Sequence, residues 1–373
     1  MAVAFARGTE AYVELDAIVD NLALFRQRVG PDVAIMAIVK ANAYGHGAVQ
    51  VARTVLSQGA DWLGVATAEE GQELREAQLT APILVLGGSS REQMGIALAH
   101  NLDVTVFDRA GWEDITGLAR EFKVRPRVHL KVDTGMNRIG VRPEEVTNDW
   151  IRRLSGSEVV WAGLMSHLAE SDALSDVVTR DQLAVFLDVV ERIRTSGVQG
   201  PQMLHLANSA ATLRYPGTHF NMVRVGIGLY GGLPYDGAPA LRPAMTLTSR
   251  VTMVKQVPAG TRIGYGGRYV TARPSTIATV AVGYADGYRR ALSNRAEVLI
   301  QGQRCPVVGA ISMDQTTVLV PSQVPVKVKD RVVLIGRDGG NVITVEEVAK
   351  WAQTIHYEVM TGISARVPRF YSR

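Results

Sequence analysis

Val33-Ala34-Ile35-Met36-Ala37-Ile38-Val39 is apolar at every position and runs directly into a lysine, Lys40. An apolar run without alternation fits a strand buried on both faces, as in a parallel sheet. Seven more short strand candidates follow, several of them equally apolar: residues 62–66, 83–86, 103–107, 127–132, 159–165, 203–206 and 223–226. Between them lie stretches with helical spacing. Residues 48–58 put Val51, Val55 and Leu56 on one face, and residues 67–79 are rich in Glu, Ala and Leu. Residues 181–195 carry a stripe of Leu183, Phe186, Leu187 and Val190, with Gly197 placed to stop it. Strand and helix alternating eight times predicts a (β/α)8 TIM-type barrel, typically about 250 residues long. An open doubly wound sheet would show the same alternation. The count of eight favours the barrel.

Past Leu233 the texture changes. Pro234, Pro239 and Pro243 cluster with Gly237 and read as a linker. Beyond it come β-rich runs at residues 245–257, 276–282, 296–300, 306–311, 316–320 and 331–335, with one short helix at 345–353. The chain therefore divides into a barrel over residues 1–240 and a mostly-β domain over residues 241–373, an α/β fold overall. No fixed-period repeat and no low-complexity segment is present.

The composition is that of a globular protein with a sizeable core: 373 residues, 47% hydrophobic and 20% charged. Forty Lys and Arg stand against 36 Asp and Glu, a net charge of +4 that is too small to point to nucleic acid. Cys305 is the one cysteine, which excludes an intrachain disulfide and a thiolate metal cluster. The N-terminus carries Arg7 and Glu10 without an apolar core segment, and no run approaches the roughly 18 residues needed to span a bilayer. These features predict a cytoplasmic protein with no membrane partner.

Gly226, Gly228 and Gly231 spell G-x-G-x-x-G after a strand, but the following Gly-Leu-Pro-Tyr-Asp-Gly cannot start the long helix that a dinucleotide site requires. In a barrel, glycines after the eighth strand still serve to hold phosphate through backbone N–H groups. The seven histidines show no H-x-x-x-H spacing, so no metal site is expected. No G-x-S-x-G elbow supports a serine hydrolase. More telling are the residues at strand C-terminal ends, the active face of a barrel: Lys40, Lys131 with Asp133, His167, and Asn208 with Ser209. A lysine ending an apolar strand is costly to desolvate. Lys40 either reaches out of the barrel mouth or, with its pKa lowered by burial, serves as a nucleophile toward an aldehyde.

Here the residues resemble the bacterial alanine racemases, a family that depends on pyridoxal 5′-phosphate. The resemblance is carried by residues 39–47 (VKANAYGHG), 133–140 (DTGMNRIG), 205–211 (HLANSAA), 223–228 (VRVGIG), 283–287 (GYADG) and 313–315 (MDQ), in order along essentially the whole chain. It implies a fold-type III barrel carrying pyridoxal 5′-phosphate, followed by a β domain, in a head-to-tail homodimer with shared active sites. By resemblance, Lys40 carries the cofactor and acts as base on one face of the substrate Cα. Tyr265 of a second subunit acts on the opposite face, because racemisation needs acid–base groups on both sides of a planar carbanion.

The remaining roles are likewise implied by the resemblance. His167 and Arg224 match residues linking the tyrosine to the pyridine nitrogen, and an arginine there leaves that nitrogen unprotonated. Tyr44, Asn208, Ser209, Tyr357 and the N–H groups of Gly226 and Ile227 belong to cofactor binding, chiefly at the phosphate. Arg138 and the N–H of Met313 meet the substrate carboxylate, and Tyr284 narrows the entrance to small side chains. Lys131 matches a lysine often carbamylated in the family. The expected reaction interconverts L- and D-alanine and supplies D-alanine for peptidoglycan. The alternatives are a broader-specificity amino-acid racemase, a decarboxylase on the same kind of barrel, and a non-catalytic cofactor carrier. Exported broad-specificity members carry a cysteine pair, a decarboxylase needs no second base, and the carriers lack a second domain.

Overall fold

The computed structural model describes residues 7–372. Part of the N-terminal stretch read above for an export segment lies outside that span. Eight parallel strands close into a barrel: β2 (Ala34–Ile38), β3 (Trp62–Val65), β4 (Ile83–Val85), β5 (Asp103–Val106), β6 (Arg127–Lys131), β7 (Val160–Met165), β8 (Met203–His205) and β9 (Met222–Val225). Closure is made by β2 on β9, with Ala34 opposite Met222 and Ala37 opposite Val225. Each strand lies within a residue or two of its expected position, because burial of both faces leaves short runs dominated by apolar residues.

The helices follow the same logic. Helix α1 (Leu15–Val29) buries Leu15, Ile18, Leu22 and Phe25 at helical spacing against the barrel, each worth about 1.5–3 kcal/mol of transfer free energy. Helices α2 (Ala48–Ser57) and α3 (Ala68–Glu76) cover the next crossovers. α4 (Arg91–Ala99), α5 (Arg109–Phe122), α6 (Asn148–Leu154), α7 (Val177–Thr195) and α8 (Ser209–Arg214) complete the ring. Gly197, just past α7, takes a left-handed φ of 76° and ends that helix as expected.

The β domain is a nine-stranded sheet built on the long strand β10 (Met245–Val257). Arg262–Ile263 and Tyr269–Val270, β11 and β12, form a small hairpin. β13 (Ser275–Val280), β14 (Glu297–Ile300), β15 (Gln303–Pro306), β16 (Thr316–Val320), β17 (Arg331–Asp338) and β18 (Asn341–Ile343) lead to helices α9 (Val345–Ala352) and α10 (His356–Thr361) and a last strand, β19 (Arg369–Ser372). The strand expected at 306–311 is instead β15, three residues earlier. Gly309 takes a φ of 78°, which an extended strand cannot hold.

A second difference concerns the first residues. Strand β1 (Glu10–Glu14) does not belong to the barrel half of the expected division at residue 240. It pairs antiparallel with β10 and parallel with β19, inside the β-domain sheet. Its burial alternates, with Ala11 and Val13 inward and Tyr12 and Glu14 outward, as a strand with one wet face should. No helix among the described residues is long and apolar enough to cross a membrane.

Candidate active site at the barrel mouth

β2 delivers Lys40 to the C-terminal mouth of the barrel, and the next four residues do something L-amino acids avoid. Ala41, Asn42, Ala43 and Tyr44 all take φ between 51° and 53°, making one left-handed helical turn. Each such residue costs roughly 1–2 kcal/mol, so the turn persists only because its surroundings hold it. Ala43 N–H donates to Val39 C=O (2.8 Å) and Gly47 N–H to Asn42 C=O (2.9 Å). Asn42 Oδ1 accepts from Ala48 N–H (2.8 Å) at the start of α2. His46 and Tyr44 both stack on Tyr230, at 4.6 and 4.9 Å, and Tyr230 in turn donates to Ile38 C=O. The turn carries Tyr44 to the mouth beside Gly226. A Cβ on Gly226 would lie 2.7 Å from the Tyr44 hydroxyl oxygen, so only glycine leaves that space free.

The loop after β9 supplies the facing wall. Ser209 Oγ, 4% exposed at the start of α8, accepts from Gly226 N–H (2.9 Å) and Gly228 N–H (3.3 Å). Backbone donors, a serine hydroxyl and the Tyr44 phenol thus converge in one small volume, and Tyr357 packs 6.0 Å from Tyr44. Such a cradle suits a phosphate group. Asn208 uses its Oδ1 to cap α8, accepting from Ala211 N–H (3.0 Å) and Ser171 OH (2.9 Å). Burial, reinforced by the charge of Asp172, pushes the Tyr357 phenol up to about 12.

Strands β2, β6 and β9 bring cations to the mouth, Lys40, Lys131 and Arg224. Burial, then the charges of Arg224, Arg138 and Lys40, push Lys131 down to about 8. Burial and Arg138 lower Lys40, with Glu70 opposing them. Arg224, on β9 and 4% exposed, is brought down to about 10 by burial. It donates through Nη1 to His205 Nδ1 (3.1 Å) and through Nη2 to His167 Nδ1 (3.2 Å), with carbonyls of Ser166, His205 and Leu206 taking further donors.

Behind Arg224 runs a chain that sequence reasoning missed. His205 Nε2 lies 2.9 Å from His129 Nδ1, and His129 Nε2 lies 3.3 Å from Asp103 Oδ2, which also faces Arg127. An arginine can only donate, so His205 Nδ1 accepts and its proton sits on Nε2. By the same step His129 accepts at Nδ1 and points its proton at Asp103. Burial lowers both imidazoles below their ordinary value, which keeps them neutral. The signal available in the sequence was weak: His129 and Asp103 are polar residues within short strands whose other positions are mixed, RVHLK and DVTV.

Three expected site residues lie on the β domain with their side chains exposed. Tyr265 follows β11 and is 75% exposed, Tyr284 is 43% exposed and Met313 is 53% exposed, all on the β domain. Tyr284 and Met313 sit on interlocked loops, Tyr284 N–H donating to Ser312 C=O and Ala285 N–H to Met313 C=O. Arg138 is exposed on the loop after β6, near enough for its charge to act on Lys40, Lys131 and His167. Among the described residues no cluster of His, Cys, Asp or Glu could hold a metal ion.

A parallel barrel with a half-buried lysine at its mouth, among cations and next to a strand that ends in an N–H cradle, defines an enzyme fold arranged to hold an anion beside an amine. Residues 13–234 match the family model for the alanine racemase N-terminal domain, and residues 244–371 match the model for its C-terminal domain. The chain is 48% identical to an alanine racemase of Symbiobacterium thermophilum, over 98% of this chain and 97% of that one. It is 42% identical to an alanine racemase of Geobacillus stearothermophilus, over 99% and 95%. A solved alanine racemase from Bacillus anthracis with bound L-Ala-P superposes with a TM-score of 0.93 at 39% identity, covering 100% of this chain and 96% of that one. The chain belongs to the alanine racemase family.

Proposed function

We propose that the chain is a pyridoxal 5′-phosphate-dependent alanine racemase, working as a homodimer with shared sites and interconverting L- and D-alanine. The observation that carries this reading is Lys40 at the mouth, after the strand next to the one that leads into the Ser209–Gly226 cradle, and within the field of Arg224. The residues fit the cofactor. A phosphate would be held by the Ile227 N–H and the hydroxyls of Ser209, Tyr44 and Tyr357, with the Gly226 N–H turned to it from Ser209 Oγ and Asn208 fixing the helix start beneath them. The pyridine end would meet Arg224, whose charge cannot be surrendered as a proton. Bound pyridoxal 5′-phosphate lowers the cost of a carbanion at the substrate Cα by delocalising its charge.

The protein's own groups do the rest. Arg138 receives the alanine carboxylate in bidentate fashion, aided by the Met313 N–H of a second copy. Lys40 Nζ removes or returns the Cα proton on one face. Tyr265 Oη of the second copy does so on the other, and its exposure in the single chain suits a residue offered to a neighbour. His167, whose Nδ1 accepts from Arg224, presents its Nε2 proton toward that phenol. Tyr284 narrows the entry. Lys131, at about 8, has an appreciable neutral fraction and so can add to carbon dioxide, releasing a proton and leaving a carbamate anion beside Arg138. The barrel over 1–240 and β domain over 241–373 divide this work, with β1 as a structural loan from the first to the second.

The test is Lys40→Ala with pyridoxal 5′-phosphate and alanine. Racemisation in both directions and the visible absorbance of bound cofactor should disappear together. Retention of full activity would sink the assignment. A decarboxylase would instead release carbon dioxide from its substrate and would not need Tyr265.

A further inference from the structure

We propose that Glu70 is a positioning residue for the reaction: its carboxylate ties the first residue of the left-handed turn to the end of the neighbouring strand, and so fixes where Lys40 points while setting a negative charge against the cations around it. This rests on the functional reading above.

Glu70 lies in the first turn of α3, and Thr67 caps that helix by accepting from Glu70 N–H (3.4 Å). Thr67-x-x-Glu70 is the spacing of a capping box, in which the carboxylate turns back to the N–H of the cap residue itself. Here it does not. One oxygen, Oε1, accepts from Ala41 N–H at 2.6 Å, and the other, Oε2, accepts from Ala66 N–H at 2.7 Å. These two N–H groups lie just past the ends of β2 and β3, beyond the ladder bond from Val39 N–H to Gly64 C=O. A single carboxylate therefore bridges the two barrel strands two residues beyond that bond, at the point where the chain after Lys40 enters the left-handed turn. Both bonds are short, as charge-assisted bonds are.

The charge matters as much as the reach. Arg138 and Arg224 bear on Lys40 and disfavour its proton, and Glu70 favours it. Lys131 and His167 also feel the charge of Lys40. Asp133 bears on Lys131, but its Oδ1 is committed to the N–H groups of Gly135 and Asn137. Asp172 bears on Tyr357. An amine that takes up and gives back a proton in every turnover needs its two states close in energy. Cations alone would strip it.

The experiment uses the holoenzyme, Glu70→Gln, and Glu69→Gln as a neighbouring exposed control. Its readouts are the pH dependence of the visible absorbance of bound pyridoxal 5′-phosphate, and kcat and KM for alanine. Glutamine keeps the size but offers one acceptor to two N–H donors and carries no charge. The expected result is an absorbance inflection moved to lower pH, with kcat down roughly ten- to a hundredfold and KM little changed. Glu69→Gln should match the parent. An unmoved inflection in a folded Glu70→Gln protein overturns the proposal, whether or not its thermal stability falls. Should that variant not fold, Glu70→Asp takes its place, keeping the charge and losing the reach. It should lower kcat with the inflection near that of the parent, and parental kcat would overturn the proposal. A parent protein without cofactor absorbance would defeat the functional reading instead, a result distinct from either.

Discussion

Arg224 touches two imidazoles at once, and because it donates to both, it sets the proton order of everything behind it. His205 and His129 are fully buried, and each holds its one proton on Nε2, directed away from the mouth toward Asp103. That order has a cost in acid. The unfolded chain binds a proton on each imidazole near pH 6.5. In the folded chain burial depresses His129, His167 and His205, and brings His46 to about 4. A group whose folded pKa is depressed contributes stability that is fully present above its unfolded pKa and is lost as pH falls through the folded value. Urea midpoints of the protein should therefore be similar at pH 7 and 8 and fall steadily from about 6.5 downward. Equal midpoints at pH 7 and 5 would mean that these histidines are already charged in the native protein. Of the chain's members, His167 was legible as a residue just beyond a strand end, and Arg224 only through the resemblance. His129, His205 and Asp103 had no role read for them, because a polar residue in a strand gives no sign of which neighbour satisfies it until the barrel closes.

At the level of elements, the barrel was legible because its signal is local: each strand is an apolar run, and each crossover carries its own stripe. The β domain was legible in kind but not in detail. Its strands have one wet face, so their patterns are shorter and their ends depend on turns such as that at Gly309. The left-handed turn after Lys40 left no trace, since Ala41-Asn42-Ala43-Tyr44 reads as an ordinary helix start, and only the packing of His46, Tyr230 and Glu70 around it overrides that preference. Strand β7 offers a direct test of how tightly elements and side chains are matched. A Cβ on Gly163 would run into the His129 ring. Gly163→Ala should destabilise by about 1–3 kcal/mol, the usual cost of overpacking, read as a lower urea midpoint. A midpoint unchanged within error would show that His129 has room to move. Activity should fall as well, because the ring it displaces is two hydrogen bonds from Arg224.

For the whole molecule, the exposure of Tyr265, Tyr284 and Met313 on the β domain is the main fact to explain. The sequence reading placed them in the site only through resemblance, since no single-chain pattern can say that a residue serves a neighbour. If sites are shared, Lys40→Ala and Tyr265→Ala proteins, each inactive alone, should regain activity when mixed and allowed to exchange subunits. Random exchange yields half heterodimers, each with one intact site of two, so roughly a quarter of parental activity is expected. No recovery, with heterodimers demonstrated by mass, would mean that each site is built from one chain. The pairing of β1 with β10 and β19 bears on how such a molecule comes to exist. Ala11 waits for Leu247 and then for Arg369. At the usual pace of translation that wait is on the order of tens of seconds. Through that interval the ribosome-bound chain can finish its barrel while its earliest strand still has open edges, a standing invitation to other unfinished chains. Vectorial synthesis thus completes the barrel before the sheet that carries Tyr265, and a strand made late closes one made early.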